Sequence, residues 1–201
     1  MAKAIVPESS ATRDNILAVG QKLMAAKGFS AVGLNEILTS SGVPKGSFYH
    51  YFASKEAFGE ALLDKYFNDY LAEMDRTFSQ PGFSSAQRLT TYLTQWQENQ
   101  SFLDCQGKCL AVKLGAEVAD LSEAMRLSLK RGTESIVSRL ADALKAGVAD
   151  GSLTIEGDPQ QVALNIYQLW MGASLMAKIV RNYQPFEAAM EKTRQTLHLL
   201  R

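Results

Sequence analysis

Cysteine is scarce in this sequence, which has 201 residues and two cysteines, Cys105 and Cys109. Two cysteines cannot build the disulfide framework of a small secreted fold, and no histidine lies close enough in the sequence to complete a zinc site. A chain of this length can bury a hydrophobic core without a metal or a disulfide. We therefore expect a cytoplasmic protein without a metal or another cofactor.

Long apolar runs and net charge are also lacking. The longest apolar stretch, LWMGASLMAKIV, is too short to cross a bilayer and contains Lys178, and the first residues, MAKAIVPESSATRD, lack the apolar core of a signal peptide. Lysine plus arginine number 21, as do aspartate plus glutamate. The sequence therefore predicts a soluble protein with no membrane partner, and any attraction to a polyanion must be local.

Proline is sparse, and each of the five prolines lies where a helix can begin or end: Pro7, Pro44, Pro81, Pro159 and Pro185. Alternation typical of a strand is limited to the short segment SLTIEG. The sequence therefore predicts an all-α chain of about nine helices. Their expected ranges are 11–27, 34–41, 44–52, 55–78, 84–103, 108–119, 122–149, 159–181 and a last helix that begins at Pro185.

Residues that stop or cap helices support these boundaries. Gly28 and Gly42 follow predicted helices, where glycine tolerates a left-handed backbone. Short polar side chains accept hydrogen bonds from the first N–H groups of a helix. The expected caps are Ser54, Ser84 with Gln87, Asp120 with Glu123, and Asp158 with Gln161.

A stretch rich in glycine, aromatic and hydroxyl side chains, SSGVPKGSFYHYFASKEA, occupies residues 40–57. Two short helices joined by a glycine-containing turn are typical of a helix-turn-helix, whose second helix enters the DNA major groove. Phe48, Tyr51 and Phe52 share one face of that helix and can anchor it to a core. No acid occurs in residues 37–55, so the remaining surface is locally positive. That surface presents Lys45, Gly46, Ser47, Tyr49 and His50.

The segment GFSAVGLNEILTSSGVPKGSFYHYFASKEAF, residues 28–58, resembles the DNA-binding segment of the TetR family of transcriptional regulators. The segments CLAVKLGAEVADLSEAMR and LWMGASLMAKI are similar to the NemR-like branch of that family, repressors that respond to reactive electrophiles. The resemblance implies a DNA-binding domain over residues 1–55, with its recognition helix at about 45–52. It also implies a sensing and dimerisation domain over residues 56–201, and no enzymatic activity.

The resemblance also implies which residues contact a double-stranded DNA operator. The matching positions are Lys45, Gly46, Ser47, Tyr49, His50 and Lys55. Ser47 is expected to contact a base edge or a nearby phosphate, and Gly46 allows close approach of the backbone. Tyr49, His50 and Lys55 are expected on phosphates. The family often has serine or threonine where this chain has Gly33, which removes one side-chain contact, and Asn35 is the expected substitute.

The helix expected after Pro159 is apolar over much of its circumference and must be covered on both sides. One stripe contains Val162, Ile166, Leu169, Ala173, Met176 and Val180, and the other contains Leu164, Met171 and Leu175. Such a helix can lie in the centre of a monomer. The resemblance instead implies a homodimer through the last two helices, about residues 159–199.

Two kinds of effector site are open from the sequence. Tyr66, Phe67, Tyr92, Trp96, Trp170 and Met171 can line a ligand pocket, although helical spacing explains them equally as core. Cys109 has Lys108 beside it and lies near a predicted helix start, which favours a reactive thiolate, although a buried cysteine that acts as a small apolar residue fits the same pattern. The resemblance implies that Cys109 is a sensing thiol. Cys105, four residues earlier, could be a resolving thiol or incidental, and Lys178, a cation on an apolar helix, could approach Cys109 and favour its thiolate.

Functions of other classes remain open from the pattern alone. A helix-turn-helix also occurs in proteins that never bind DNA, and the same chain could be a helical ligand carrier, an enzyme or a protein-binding module. The sequence contains no nucleophile elbow, metal-ligand cluster or phosphate-binding glycine loop, and His198 is its one histidine outside the third helix. The sequence therefore favours a DNA-binding regulator over an enzyme.

Overall fold

The structure is a computed structural model that describes residues 8–99 and 110–199. Over those two ranges every regular element is a helix and there is no strand, so the all-α prediction is confirmed. The helices are α1 (Glu8–Lys27), α2 (Leu34–Ser41), α3 (Lys45–Tyr51), α4 (Lys55–Phe78), α5 (Ser85–Glu98), α6 (Leu110–Leu121), α7 (Glu123–Ala149), α8 (Pro159–Val180) and α9 (Gln184–Thr196).

Several helix ends follow from the predicted capping residues. Gly28 and Gly42 have φ angles of 95° and 68°, the left-handed conformation that lets the chain leave α1 and α2. The Ser54 side chain accepts a hydrogen bond from the backbone N–H of Ala57 at the start of α4. Ser84 and Gln87 form the complete capping box of α5.

Other boundaries differ from the prediction. α5 ends at Glu98, earlier than expected, and α6 continues to Leu121, beyond the expected end at residue 119. Ser122 therefore caps α7, because the predicted cap Asp120 still lies inside α6. Pro44 is the cap of α3 and not its first residue, and Arg181 leaves α8 in the left-handed conformation. The predicted start at Lys108 lies outside the described residues.

The segment SLTIEG, whose alternation is typical of a strand, forms an irregular connection. Residues 152–155 lie between α7 and α8, and the Thr154 N–H donates to the Leu197 carbonyl oxygen over 3.2 Å. Leu153 and Leu197 are buried. The alternation of the sequence therefore reflects a loop with one buried side, held against the end of α9.

Helices α4 and α7 pack closely along each other. Gly132 of α7 lies against the ring of Phe67, and ion pairs join Asp64 to Arg131 and Asp75 to Arg139 along the exposed side of the contact. α7 also packs against α5, α6 and α8, and α8 packs against α9. The hydrophobic core thus continues from α4 through α7 to the last two helices.

Helices α1 to α3, which we call the head, pack on the first turns of α4. Phe58 of α4 reaches the backbone of α1 at Gly20, where a side chain would collide with its ring. The head is therefore joined to the rest of the molecule through a buried aromatic contact. Within the described ranges, no helix is both long and apolar enough to cross a membrane.

Candidate nucleic-acid interface

The recognition helix α3 has seven residues, and aromatic packing holds it in place. Phe48 is fully buried and Phe52 is 3% exposed, while Tyr51 packs at the edge of the core. The ring centroid of Phe58 lies 5.5 Å from that of Phe48 and 5.1 Å from that of Phe52. A helix this short does not hold its shape alone, so the three-ring cluster fixes its orientation.

The opposite side of α3 faces solvent. Lys45, Gly46, Tyr49 and His50 are exposed, and Ser47 is partly buried. The Lys45 ammonium lies 5.9 Å from the centroid of the Tyr49 ring, so the two side chains form one surface that is both cationic and aromatic. The geometry therefore separates the anchoring residues from the predicted DNA contacts, as expected from their spacing.

A shallow cleft of about 520 Å³ lies between α2 and the start of α3. Asn35, which is exposed, is one of the residues that line it. The others are Leu38, Thr39, Gly42, Val43, Pro44 and Lys45. Gly33 precedes α2 without a side-chain cap, as its lack of a side chain requires. The Glu36 carboxylate pairs with Lys27, which offsets the negative charge closest to this face.

The position of α2 is set by hydrogen bonds from its neighbours. Asn15 of α1 donates from its side-chain amide to the Ser41 carbonyl oxygen over 2.9 Å. The Ser41 hydroxyl donates to the Ile37 carbonyl oxygen over 2.7 Å. These bonds satisfy carbonyl groups at the end of α2 and hold the turn before the recognition helix.

Lys55 is a predicted phosphate contact that has a partner within the chain. Its ammonium group donates to the Phe29 carbonyl oxygen over 2.8 Å and lies 4.5 Å from the centroid of the Phe29 ring. The side chain is partly buried at the start of α4. A phosphate contact by Lys55 stays a prediction, and the structure gives this residue a second role in holding the loop after α1.

Glu117 is a residue of this region that the sequence did not indicate. Its carboxylate accepts hydrogen bonds from the backbone N–H groups of Phe29, over 3.0 Å, and Ser30, over 2.7 Å. Burial opposes ionisation, but the bonds from Ser30 and Phe29, with the nearby Lys55 ammonium, outweigh it and lower the pKa of Glu117 below its usual value. The one sign of Glu117 in the sequence is an acidic residue beside the apolar stripe of α6.

Comparison with known proteins gives the family. Residues 16–62 match the model of the bacterial regulatory proteins of the tetR family, and residues 85–193 match the tetracyclin repressor-like C-terminal domain. The chain belongs to the TetR family of transcriptional regulators. The recognition helix and its anchoring aromatic residues lie within the first of these matches.

Individual relatives extend the match over most of this TetR-family chain. It is 40% identical over 179 residues to the HTH-type transcriptional repressor NemR of Escherichia coli K12, covering 89% of this chain and 90% of NemR. It is 31% identical over 182 residues to the transcriptional regulator AcuR of Cereibacter sphaeroides, covering 90% of this chain and 83% of AcuR. The crystal structure of reduced E. coli NemR superposes with a TM-score of 0.88, covering 93% of this chain and 97% of that one.

The aromatic residues predicted for an effector pocket in this TetR-family chain pack against one another. Trp96 lies 5.9 Å from Tyr92 and 5.9 Å from Trp170, measured between ring centroids, and all three are buried. Tyr66 and Phe67 are buried, and Met171 is partly buried. Whether any of them contacts an effector stays a prediction.

Buried polar groups in this aromatic cluster have partners. The Trp96 indole N–H donates to the Ser174 hydroxyl over 2.9 Å, which joins α5 to α8. The hydroxyl groups of Tyr70 and Tyr92 lie 2.8 Å apart. Burial, reinforced by Tyr70, raises the pKa of Tyr92 well above its usual value, so its phenol stays protonated at neutral pH.

The two predicted apolar stripes of α8 divide differently in the structure. Val162, Ile166 and Ala173 are buried, and Leu164 and Met171 are partly buried against the core. Five large apolar side chains of α8 are exposed, and we call them the α8 surface: Leu169, Leu175, Met176, Ile179 and Val180. Leu169, Met176 and Val180 thus lie on the outside, although the spacing placed them in one stripe with the buried Val162, Ile166 and Ala173.

The predicted sensor lies mostly outside the described part of the chain. Cys105 and Cys109 fall between the two described ranges, so their surroundings are not described. Lys178 lies in the last turn of α8 and is partly buried. A role for these three residues in sensing stays a prediction.

Proposed function

We propose that this chain is a repressor that binds a palindromic operator as a homodimer and is released by a thiol-reactive or small-molecule effector. The observation that carries the proposal is the two-sided recognition helix. Phe48 and Phe52 fix it to the core, while Lys45, Tyr49 and His50 extend into solvent. Donors on a rigid helix without acids can bind phosphates and base edges. Family membership and the similarity to NemR support the same function.

The α8 surface supports a homodimer. Five large apolar side chains on one side of one helix are exposed, and a continuous apolar surface of this kind marks an interaction site. Pairing two copies through α8 and α9 buries this surface. A dimer of this kind also places two recognition helices on one side of the molecule, about 34 Å apart or a multiple of it, which matches successive turns of DNA.

The proposed domain division places sensing in residues 56–201 and DNA binding in residues 1–55. α4 is continuous from Lys55 to Phe78, so a change in the packing of its distal half also tilts the end that supports the head. An effector can then cause release of the operator only if it binds more tightly to the arrangement of the protein that fits DNA poorly.

DNA binding can be tested on the duplex immediately upstream of this reading frame. The wild-type protein is expected to bind a palindromic site in that duplex. The logarithm of its binding constant should fall linearly with the logarithm of the salt concentration. The Lys45→Ala/Tyr49→Ala double variant should lose specific binding, while Lys145→Ala, an exposed lysine on α7, should bind as the wild type does. Equal operator affinity of the double variant and the wild type would contradict the proposal.

The thiol part of the proposal needs a separate test. Cys109→Ser is expected to abolish release of the operator by quinones, aldehydes or hypochlorite, while Cys105→Ser should weaken release less. Intact mass measured on the same samples shows which sulfur is modified. Unchanged release of Cys109→Ser would replace thiol sensing by a reversible ligand that binds among the aromatic residues of α4, α5 and α8.

A further inference from the structure

Gly172 lies inside α8, at a position where nothing in the described part of the chain calls for a glycine. In the interior of a helix, glycine is less favourable than alanine. Gly172 has no positive φ angle, so its backbone conformation is open to any residue. A β-carbon at position 172 would meet no other atom within 4 Å. Packing among the described residues of one copy therefore does not explain the missing side chain.

Other glycines inside helices show the contrast. At Gly20, Gly59 and Gly132, a β-carbon would collide with a side chain of a neighbouring helix, so these glycines let two helices pack closely. Gly115 of α6 also meets open space, but it is partly buried and no large exposed apolar side chain lies one turn away. Gly172 is exposed, and the described residues supply no helix that packs on it.

Gly172 lies at the centre of the α8 surface. Leu169 and Leu175 are three residues away on either side, Met176 is four residues further on, and Ile179 is seven residues further on. These spacings place all four side chains beside Gly172 on one face of the helix, and all four are exposed. Gly172 is therefore a gap between large apolar side chains. Such a gap lets the backbone of another helix approach closely.

The charges of the last two helices favour a second copy of the chain as the partner. α8 contains one charged residue, Lys178, which is partly buried. α9 packs on α8 and exposes two acids, Glu187 and Glu191, followed by two bases, Lys192 and Arg194. When two copies run antiparallel, the acids of one lie opposite the bases of the other. The arrangement is therefore complementary to itself, as a two-fold interface requires.

We propose that two copies of α8 cross at Gly172, so that the two-fold axis of the homodimer passes through this residue. The crossing rests on the homodimer of the proposed function and specifies its geometry. A residue on a two-fold axis contacts its own copy. Packed helices have axes about 8–10 Å apart and Cα atoms about 2.3 Å from each axis, so the two Gly172 Cα atoms lie roughly 5 Å apart. Other positions of α8 lie farther from their own copies.

A cysteine at position 172 tests this geometry without DNA. In a background of Cys105→Ser and Cys109→Ser, Gly172→Cys should form a disulfide between two copies when diamide is the oxidant, because disulfides join Cα atoms about 4.4–6.8 Å apart. The dimer holds the two thiols at a high effective concentration, so the reaction should be at least about tenfold faster than for Val148→Cys. Val148 is exposed on α7, and its variant measures crosslinking by random collision.

Sedimentation of the wild-type protein separates the two possible failures. If the wild type is a dimer and Gly172→Cys crosslinks no faster than Val148→Cys, the crossing is wrong and the proposed homodimer stands. If the wild type is a monomer at every concentration, the homodimer of the proposed function fails, and the crossing fails with it.

Gly172→Ala measures the effect of filling the gap. Both copies then add a methyl group at the crossing, and this overpacking should raise the dissociation constant of the dimer at least about tenfold, measured by sedimentation equilibrium. Gly115→Ala is the matched control, because it gives α6 the same gain in helix propensity at a position that meets open space. It should dissociate as the wild type does. An unchanged dissociation constant of Gly172→Ala would overturn the proposal.

Discussion

The ring of Phe67 in α4 lies directly against the backbone of α7 at Gly132. A β-carbon at position 132 would approach the ring atoms to 2.2 Å, a distance that real side chains do not reach. The absence of a side chain therefore sets how closely the two helices pack. α4 also supports the head, so the contact of Phe67 with Gly132 lies in the helix that connects the head to α7.

Gly132→Ala should be destabilising. The added methyl group forces Phe67 from its position, and overpacking of this kind costs about 1–3 kcal/mol. Thermal unfolding measures the change, with Gly115→Ala of α6 as the control, since a β-carbon there meets open space. Equal loss of stability in both variants would show that the effect is not due to Phe67.

The α8 surface predicts a variant that stays folded but does not dimerise. Ile179 is 64% exposed, so Ile179→Glu should leave the monomer intact while placing a charge in the proposed dimer interface. Sedimentation velocity should show a monomer, and operator affinity should fall because a monomer binds one half-site. Val148→Glu, which places a carboxylate at an exposed apolar position in the last turn of α7, is the control and should remain dimeric.

The two sides of α3 should respond differently to substitution. Phe48→Ala removes a fully buried ring and should cost about 3–5 kcal/mol in the free energy of unfolding. His50→Ala, on the exposed side, should leave the unfolding temperature unchanged and weaken operator binding. Thermal unfolding and an operator titration distinguish the two effects, and a stable Phe48→Ala variant would show that the ring does not anchor the helix.

Acid should weaken the contact between the start of α5 and the loop after α7. Hydrogen bonds from Ser152 and from the Ser85 N–H hold the pKa of Asp150 well below its usual value. A carboxyl with a lowered folded-state pKa contributes fully above its unfolded-state value of about 3.9, and the contribution disappears as the pH falls below it.

Asp150→Asn should therefore be less stable than the wild type at pH 7, and its unfolding temperature should fall less between pH 7 and pH 3. Circular dichroism at the two pH values checks both effects. Asp142→Asn is the control, because its carboxylate pairs with Lys145, three residues further along the exposed side of α7. If the unfolding temperature fell equally in Asp150→Asn and the wild type between pH 7 and pH 3, Asp150 would not be the source of this acid sensitivity.

Local signals predicted most of the fold because they act within one turn of helix. The capping box at Ser84 and the left-handed glycine at Gly42 were predicted from short spacings, and the structure has both. Asp120 was a candidate cap of α7 because it has the same spacing to Glu123, but α6 continues past it and Ser122 is the cap. α6 packs against α7, and the spacing of residues in the sequence does not record such a contact.

The candidate interface was predictable to a similar extent. The spacing of Phe48 and Phe52 was enough to assign them to the buried face of α3 and the polar residues to its exposed face, without knowledge of tertiary contacts. The bond from Ser30 to Glu117 joins residues 87 positions apart, and one acidic residue on an apolar helix does not indicate its partner. For the same reason, the sequence did not show that Lys55 binds the Phe29 carbonyl oxygen.

The seven-residue length of α3 has a consequence for how binding specificity can change. The buried ring of Phe48 holds the helix in place, whereas the solvent side carries the predicted DNA contacts. Phe48 is not one of those predicted contacts. New operators can therefore be selected by varying positions 45, 46, 49 and 50 while every packed aromatic residue stays unchanged. A library restricted to those four positions would explore recognition at little cost to folding.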